Sequence, residues 1–209
     1  YNKVLAVPGI DTTEKKLALQ LVYRIGLNFH NMHAHKDAVS QFEKVIAFPG
    51  AQVEDANLFV VSHYLAGLNA AQAKDTAKSN DLMTRFLGLE GKSEQLVPLA
   101  NFIMGTNHMG ELETAVQEIR EDKKIKDKDK KKAIEDLAKN HSEIAKHLAA
   151  ALQLNAGLEP ANMHLGNYYY YTGDTAKAVQ NYEALVSKFP TSPDIAAYQK
   201  FLEQIRKKK

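Results

Sequence analysis

Apolar side chains recur along this chain three and four positions apart, the spacing that gathers them on one face of an α-helix. From Asp37 to Phe48 they stand at positions 38, 39, 42, 45 and 46, and Pro49-Gly50 closes the stretch. Ile134, Leu137, His141, Ile144, Ala145, Leu148 and Leu152 share one face of a long helix that breaks between Asn155 and Pro160. Ser192-Pro193-Asp194 opens a last helix, with Ile195, Tyr198, Leu202 and Ile205 on one face and charges opposite. No segment shows the period-two alternation of a half-buried strand, so the pattern predicts an all-α chain of about ten helices.

A longer period overlies the helical one. Leu165-Gly166 is followed by Tyr169, Gly173, Ala178, Tyr182 and Pro190. Two short antiparallel helices explain the order: Gly166 and Ala178 let the backbones approach, and Tyr169 and Tyr182 fill the space beside them. Ile25-Gly26, Phe29, His33, Ala38, Phe42 and Pro49 follow the same template. Two further stretches follow it without the Leu-Gly pair: Leu65-Ala66, Asn69, Ala73, Leu82, Arg85 and Phe86, stopped by Gly88 and Gly91; and Phe102-Ile103, Thr106, Gly110, Ala115-Val116 and Ile119. Gly26, Ala66, Ile103 and Gly166 are 40, 37 and 63 residues apart, the last interval being one period plus an insertion.

This pattern resembles the tetratricopeptide repeat, a helix hairpin with a period of about 34 residues. The resemblance implies one domain over 1–209, a right-handed superhelix of antiparallel helix pairs near 16–49, 55–90, 94–121 and 159–190. A Lys-rich insertion and long helix at 123–157 and a capping helix at 193–206 complete it. Gly166→Leu is expected to destabilise it, because the crossing has no room for a side chain. The Phe189-Pro190-Thr191-Ser192-Pro193 ending resembles repeats of bacterial periplasmic and outer-membrane assembly proteins, which implies an envelope location. A start at Tyr1 rather than Met leaves an upstream signal or lipid anchor open.

Composition narrows the function. With 44% apolar and 25% charged residues the chain is a globular one, and the absence of Cys removes disulfides, thiolate metal sites and cysteine nucleophiles. Apolar runs such as Leu58 to Val61 are far below the roughly 18 residues of a membrane helix. The formal charge of +2 is uneven: Glu121 to Lys132 holds seven Lys against four acids, and Arg206 to Lys209 holds four cations. The rest is mildly acidic, which argues against a nucleic-acid face. The segment Lys123 to Lys132 carries one apolar residue and is expected to be irregular and dispensable. Phosphate loops, nucleophile elbows, zinc-protease helices and dinucleotide fingerprints are all missing, so neither catalysis nor a cofactor is expected.

Carrying the repeat register over the four inner helices implies a concave groove. It would be lined by Tyr23, Leu27, His30 and Asn31, by His63, by Asn101, Met104, Asn107 and His108, and by Met163, Asn167, Tyr170 and Tyr171. Chaperone-binding members of the family carry Lys and Arg on this face to clamp a C-terminal carboxylate, and these positions have none. A face of amides and aromatics suits a peptide or protein segment held through its backbone, and the expected function is a non-enzymatic protein-interaction scaffold. Two alternatives stand beside it: an adaptor docking on an anionic surface through the Lys-rich insertion and tail, and metal binding at His30, His33 and His35.

Overall fold

The computed structural model describes residues 12–207. Lys208 and Lys209 of the basic tail lie outside them. The described residues form eleven α-helices and no strand: α1 Thr12–Asn31, α2 His35–Ile46, α3 Ala51–Glu54, α4 Ala56–Gln72, α5 Thr76–Gly88, α6 Val97–Glu121, α7 Asp127–Lys139, α8 Glu143–Leu154, α9 Glu159–Tyr171, α10 Thr175–Lys188 and α11 Ile195–Lys207. None is long and apolar enough to cross a membrane. They fall into two compact units, one ending at Ala100 and one starting at Asn101, where the sequence pattern predicts one domain.

Three helix pairs share one turn. Seven positions after Gly26, Gly67 and Gly166 stand His33, Lys74 and Gly173, with φ of 57°, 63° and 79°. The next residue but one begins the second helix, and in two of the three the intervening Asp caps it. Asp75 accepts from the Lys78 amide and Asp174 from the Lys177 amide, each at 3.1 Å. The same glycines make the crossings. A Cβ on Gly26 would lie 2.8 Å from the Phe42 ring, on Gly67 3.0 Å from Met83 Cε, and on Gly166 2.8 Å from the Tyr182 ring. In each pair the large side chain follows its glycine by 16 positions.

The third crossing is built differently. A Cβ on Gly105 would lie 2.6 Å from Leu148, which follows it by 43 positions rather than 16. The pair expected over 94–121 is therefore not a hairpin. α6 runs unbroken through Gly110, and its partner at the crossing is α8. Helix continues where a turn was expected because Met109, Leu112 and Val116 all bury in one core with Ala138, Ile144, Leu148, Ala161, Leu165 and Tyr168. The register accordingly passes through Gly67 and Gly105, one residue beyond Ala66 and two beyond Ile103.

Two further expectations change. The single long helix carrying Ile134 to Leu152 is two, α7 and α8, separated at Asn140–Ser142. The Lys-rich stretch is not irregular throughout: Lys128 to Lys132 lie within α7, and Lys130 Nζ donates to the Arg120 carbonyl at 2.7 Å while pairing with Asp127 at 3.2 Å. Deleting it would remove the first turns of a helix that buries Ala138.

In the first unit α2 packs on α1 and α4, and α4 on α5. Its cores gather Ala38, Phe42, Ala66, Ala70 and Leu82, and Leu19, Val22, Val45, Phe48 and Ala51. The second unit adds to the α6–α9 core another made by α10 and α11, with Ala178, Tyr182, Leu185, Tyr198, Leu202 and Ile205. α11 is pinned at its start: Ser192 Oγ and Tyr198 Oη both donate to Glu159 Oε1, at 2.5 and 2.9 Å.

Candidate binding cleft

α9 places four tyrosines in succession, and about 100° of rotation per residue sends them to different neighbours. Tyr168 is buried with Leu165 in the α6–α9 core. Tyr169 lies under Lys177, whose Nζ is 5.0 Å from the ring centre. Tyr170 and Tyr171 turn the other way, their rings 6.1 Å apart. Together they line a cleft of about 560 Å³ within the second unit. Arg120 at the end of α6, Lys131, Ile134 and Glu135 of α7, Gly173 of the α9–α10 turn, Thr175 at the start of α10, and Ile205 of α11 complete it.

Each wall has a physical reason. Tyr170 is held edge-on against Phe201 at 5.2 Å. Tyr171 sits beneath the Arg120 guanidinium, 5.8 Å from the ring centre. Burial pushes the Tyr171 hydroxyl above its ordinary pKa, the Glu113 carboxylate adds to this, and Arg120 opposes it. Gly173 suits its place: its φ of +79° favours glycine, although His33 and Lys74 take similar angles in the other turns, and a Cβ there would stand 3.1 Å from the Glu135 carboxyl, which would have to shift. Lys131 lies 3.7 Å from that carboxyl across one turn of α7.

The remaining groove candidates scatter. Asn167 is engaged by the fold, its Oδ1 accepting from the Tyr182 hydroxyl at 2.6 Å. Met163 packs against the α10–α11 core. Asn101, Met104 and Asn107 are buried at 8% exposure or less, so they are core residues rather than groove lining. Asn101 Oδ1 is 3.0 Å from His147 Nδ1. The half-buried His108 stacks on His147 at 6.3 Å and reaches Glu111 at 3.2 Å.

In the first unit Tyr23 and Leu27 line a shallow hollow of about 290 Å³ with Gln20, Arg24, Asp55, Asn57 and Leu58. His63 is not in a groove: it is 4% exposed, its Nδ1 is 2.9 Å from the Phe59 carbonyl, and burial draws its pKa down. Buried polar groups take internal partners, and this one has found its own. His30 Nδ1 and His35 Nδ1 both meet Asn69 Oδ1, at 3.1 and 3.0 Å, and Asn31 is exposed. His33 is 5.8 Å from His35, ring to ring. Among the described residues no group of three or more His, Cys, Asp or Glu is arranged to hold a metal ion.

The family model for the tetratricopeptide repeat matches residues 161–192, which take in nearly all of α9, the turn, and α10. The chain carries a tetratricopeptide repeat. The all-helical architecture agrees with a fold of this repeat type, and no curated protein matches the chain. Tetratricopeptide repeats suggest protein–protein interaction modules and are in general non-catalytic. The matched repeat is the one that carries Tyr170 and Tyr171.

Proposed function

We propose that the protein binds a segment of a partner protein in the cleft of its second unit, with Tyr170 and Tyr171 as the anchoring surface. The supporting observation is the cleft itself: two tyrosines of the family-matched repeat open onto about 560 Å³, within the roughly 300–1,000 Å³ typical of ligand sites. Tyrosine offers a large apolar face and a hydroxyl with few rotors to immobilise, which is why aromatic anchors dominate such interfaces. Ile134 makes the lining apolar on a further side, and the buried Ile205 backs it.

The test is selection of a phage-displayed random peptide library on the protein. The selected peptides should lose about 2 kcal/mol of binding, roughly thirtyfold, when either Tyr170→Ala or Tyr171→Ala is introduced. The thermal midpoint of each variant, followed by circular dichroism, separates lost binding from lost folding. Asn167→Ala is a poor probe, because it leaves the Tyr182 hydroxyl without its partner. Failure to select any peptide, or affinity unchanged in both tyrosine variants, would refute the reading.

A further inference from the structure

The cleft walls bear on what kind of peptide fits, an inference that rests on reading the cleft as a peptide site. Arg120 lines the cleft and forms no ion pair among the described residues; its guanidinium faces Tyr171. Such a planar fork beside an aromatic face is suited to take a carboxylate in bidentate fashion. The acid that lines the cleft, Glu135, already has Lys131 at 3.7 Å. One turn before Lys131, on the same side of α7, stands the exposed Lys128, and Lys123, Lys124 and Lys126 are exposed in the preceding turn. Over 121–132 seven lysines face four acids, and one of those acids, Asp127, is held by Lys130.

We infer that the cleft selects an acidic peptide: a bulky apolar side chain seated between Tyr170, Tyr171 and Ile134, with a neighbouring Asp or Glu side chain taken by Arg120. The inserted helix α7 then serves recognition. It supplies an apolar wall and a positive rim that the repeat's own inner helix lacks. The groove expected from the sequence, reduced to its Tyr170 and Tyr171, and the alternative of a basic docking segment become parts of one site.

An array of N-acetylated, C-amidated decapeptides tests this, each with a central Phe or Leu and flanks of Asp/Glu, of Ser or of Lys; blocked ends remove the terminal charges. Fluorescence polarisation should give the acid-flanked peptides about tenfold or greater preference over the Ser-flanked ones. That preference should shrink as NaCl rises from roughly 0.05 to 0.5 M. Arg120→Gln should remove most of that preference, weakening acid-flanked peptides several-fold more than Ser-flanked ones. Lys128→Gln with Lys131→Gln should reduce the preference without abolishing it.

Equal binding of acid- and Ser-flanked peptides, a preference for Lys flanks, or equal weakening of all three sets by Arg120→Gln would overturn the inference. If peptides then still depended on Tyr170 and Tyr171, the binding reading would survive alone. Binding by none of the sets would sink both.

Discussion

Two repeats of this chain make the same crossing with different lengths of chain. In the first unit Gly67 meets Met83 after 16 positions, and in the second Gly105 meets Leu148 after 43. At the first, the helix ends at Gln72, and Lys74, seven residues after the glycine, turns the chain back with its positive φ. Seven residues after Gly105 stands Leu112, fully buried, and the helix goes on to Glu121. The added residues leave the crossing in place and supply α7, from which Lys131, Ile134 and Glu135 line the cleft. A repeat that is merely regular offers hollows such as the one at Tyr23 and Leu27. The interrupted one adds a wall.

The largest effect separating the two should come from the residue that keeps α6 straight. Leu112→Ala empties a fully buried position in the α6–α9 core and should cost about 2–5 kcal/mol in urea denaturation. A loss below about 1 kcal/mol would mean that Leu112 does not hold the interrupted repeat together. Next come the glycines. Gly105→Ala drives a Cβ to 2.6 Å from Leu148 Cγ and 3.3 Å from its backbone nitrogen, and should cost about 1–3 kcal/mol. At Gly67 the nearest atoms belong to the flexible Met83 thioether end, from 3.0 Å, and the gain in helix propensity offsets part of the strain; the change should stay within about 1 kcal/mol. Equal losses would erase the contrast between the two crossings.

The pH dependence follows from buried rings in both units. Desolvation first of all holds His63, His147 and His164 below the ordinary 6.5, Lys146 and His108 adding to this at His147 against Glu143. The unfolded chain therefore takes up their protons first, and stability should be full above about pH 6.5 and fall as pH drops below it. Desolvation, with Glu159 and Asp194 beside it, pushes Tyr198 to about 12, and desolvation also raises Tyr182. Ionisation of these tyrosines is easier in the unfolded chain, so stability should decline again above about pH 10. Urea midpoints across pH 4–11 check both limbs. A midpoint that rises on acidification from pH 6.5 to 5 would contradict the burial of these histidines.

The smallest effect is the most diagnostic for the helix. Nothing lies within 4 Å of a Cβ added at Gly110, which is mid-helix, so Gly110→Ala should stabilise by about 0.5–1 kcal/mol. A turn at Gly110, which the sequence pattern predicts, would give a loss instead.

That glycine also explains what the sequence conceals. The hairpins at Gly26 and Gly166 are legible because everything that defines them lies within one repeat: the glycine, the turn seven residues later and the aromatic 16 residues later. The third crossing depends on Leu148, far along the chain, and Gly110 sits where a turn glycine is expected. The local pattern cannot distinguish the two. Tyr170 and Tyr171 were reachable through the register of their own repeat. Lys131, Ile134 and Glu135 were not, because α7 enters the cleft through a path that no periodicity encodes. His63, Asn101 and Asn107 misled for a related reason, since their polarity resembles a binding face whereas their burial makes them core.

The central claim is that the inserted helix and the matched repeat form one binding site. It is tested most directly by titrating the ¹⁵N-labelled protein with the tightest peptide from the array and following amide chemical shifts. The account expects residues 131–135 of α7, Arg120, and residues 170–173 to shift together and saturate at one affinity, while Gln20 to Leu27 and Asp55 to Leu58 stay unmoved. Shifts centred on the Tyr23 and Leu27 hollow, or on α9 with α7 silent, would contradict it.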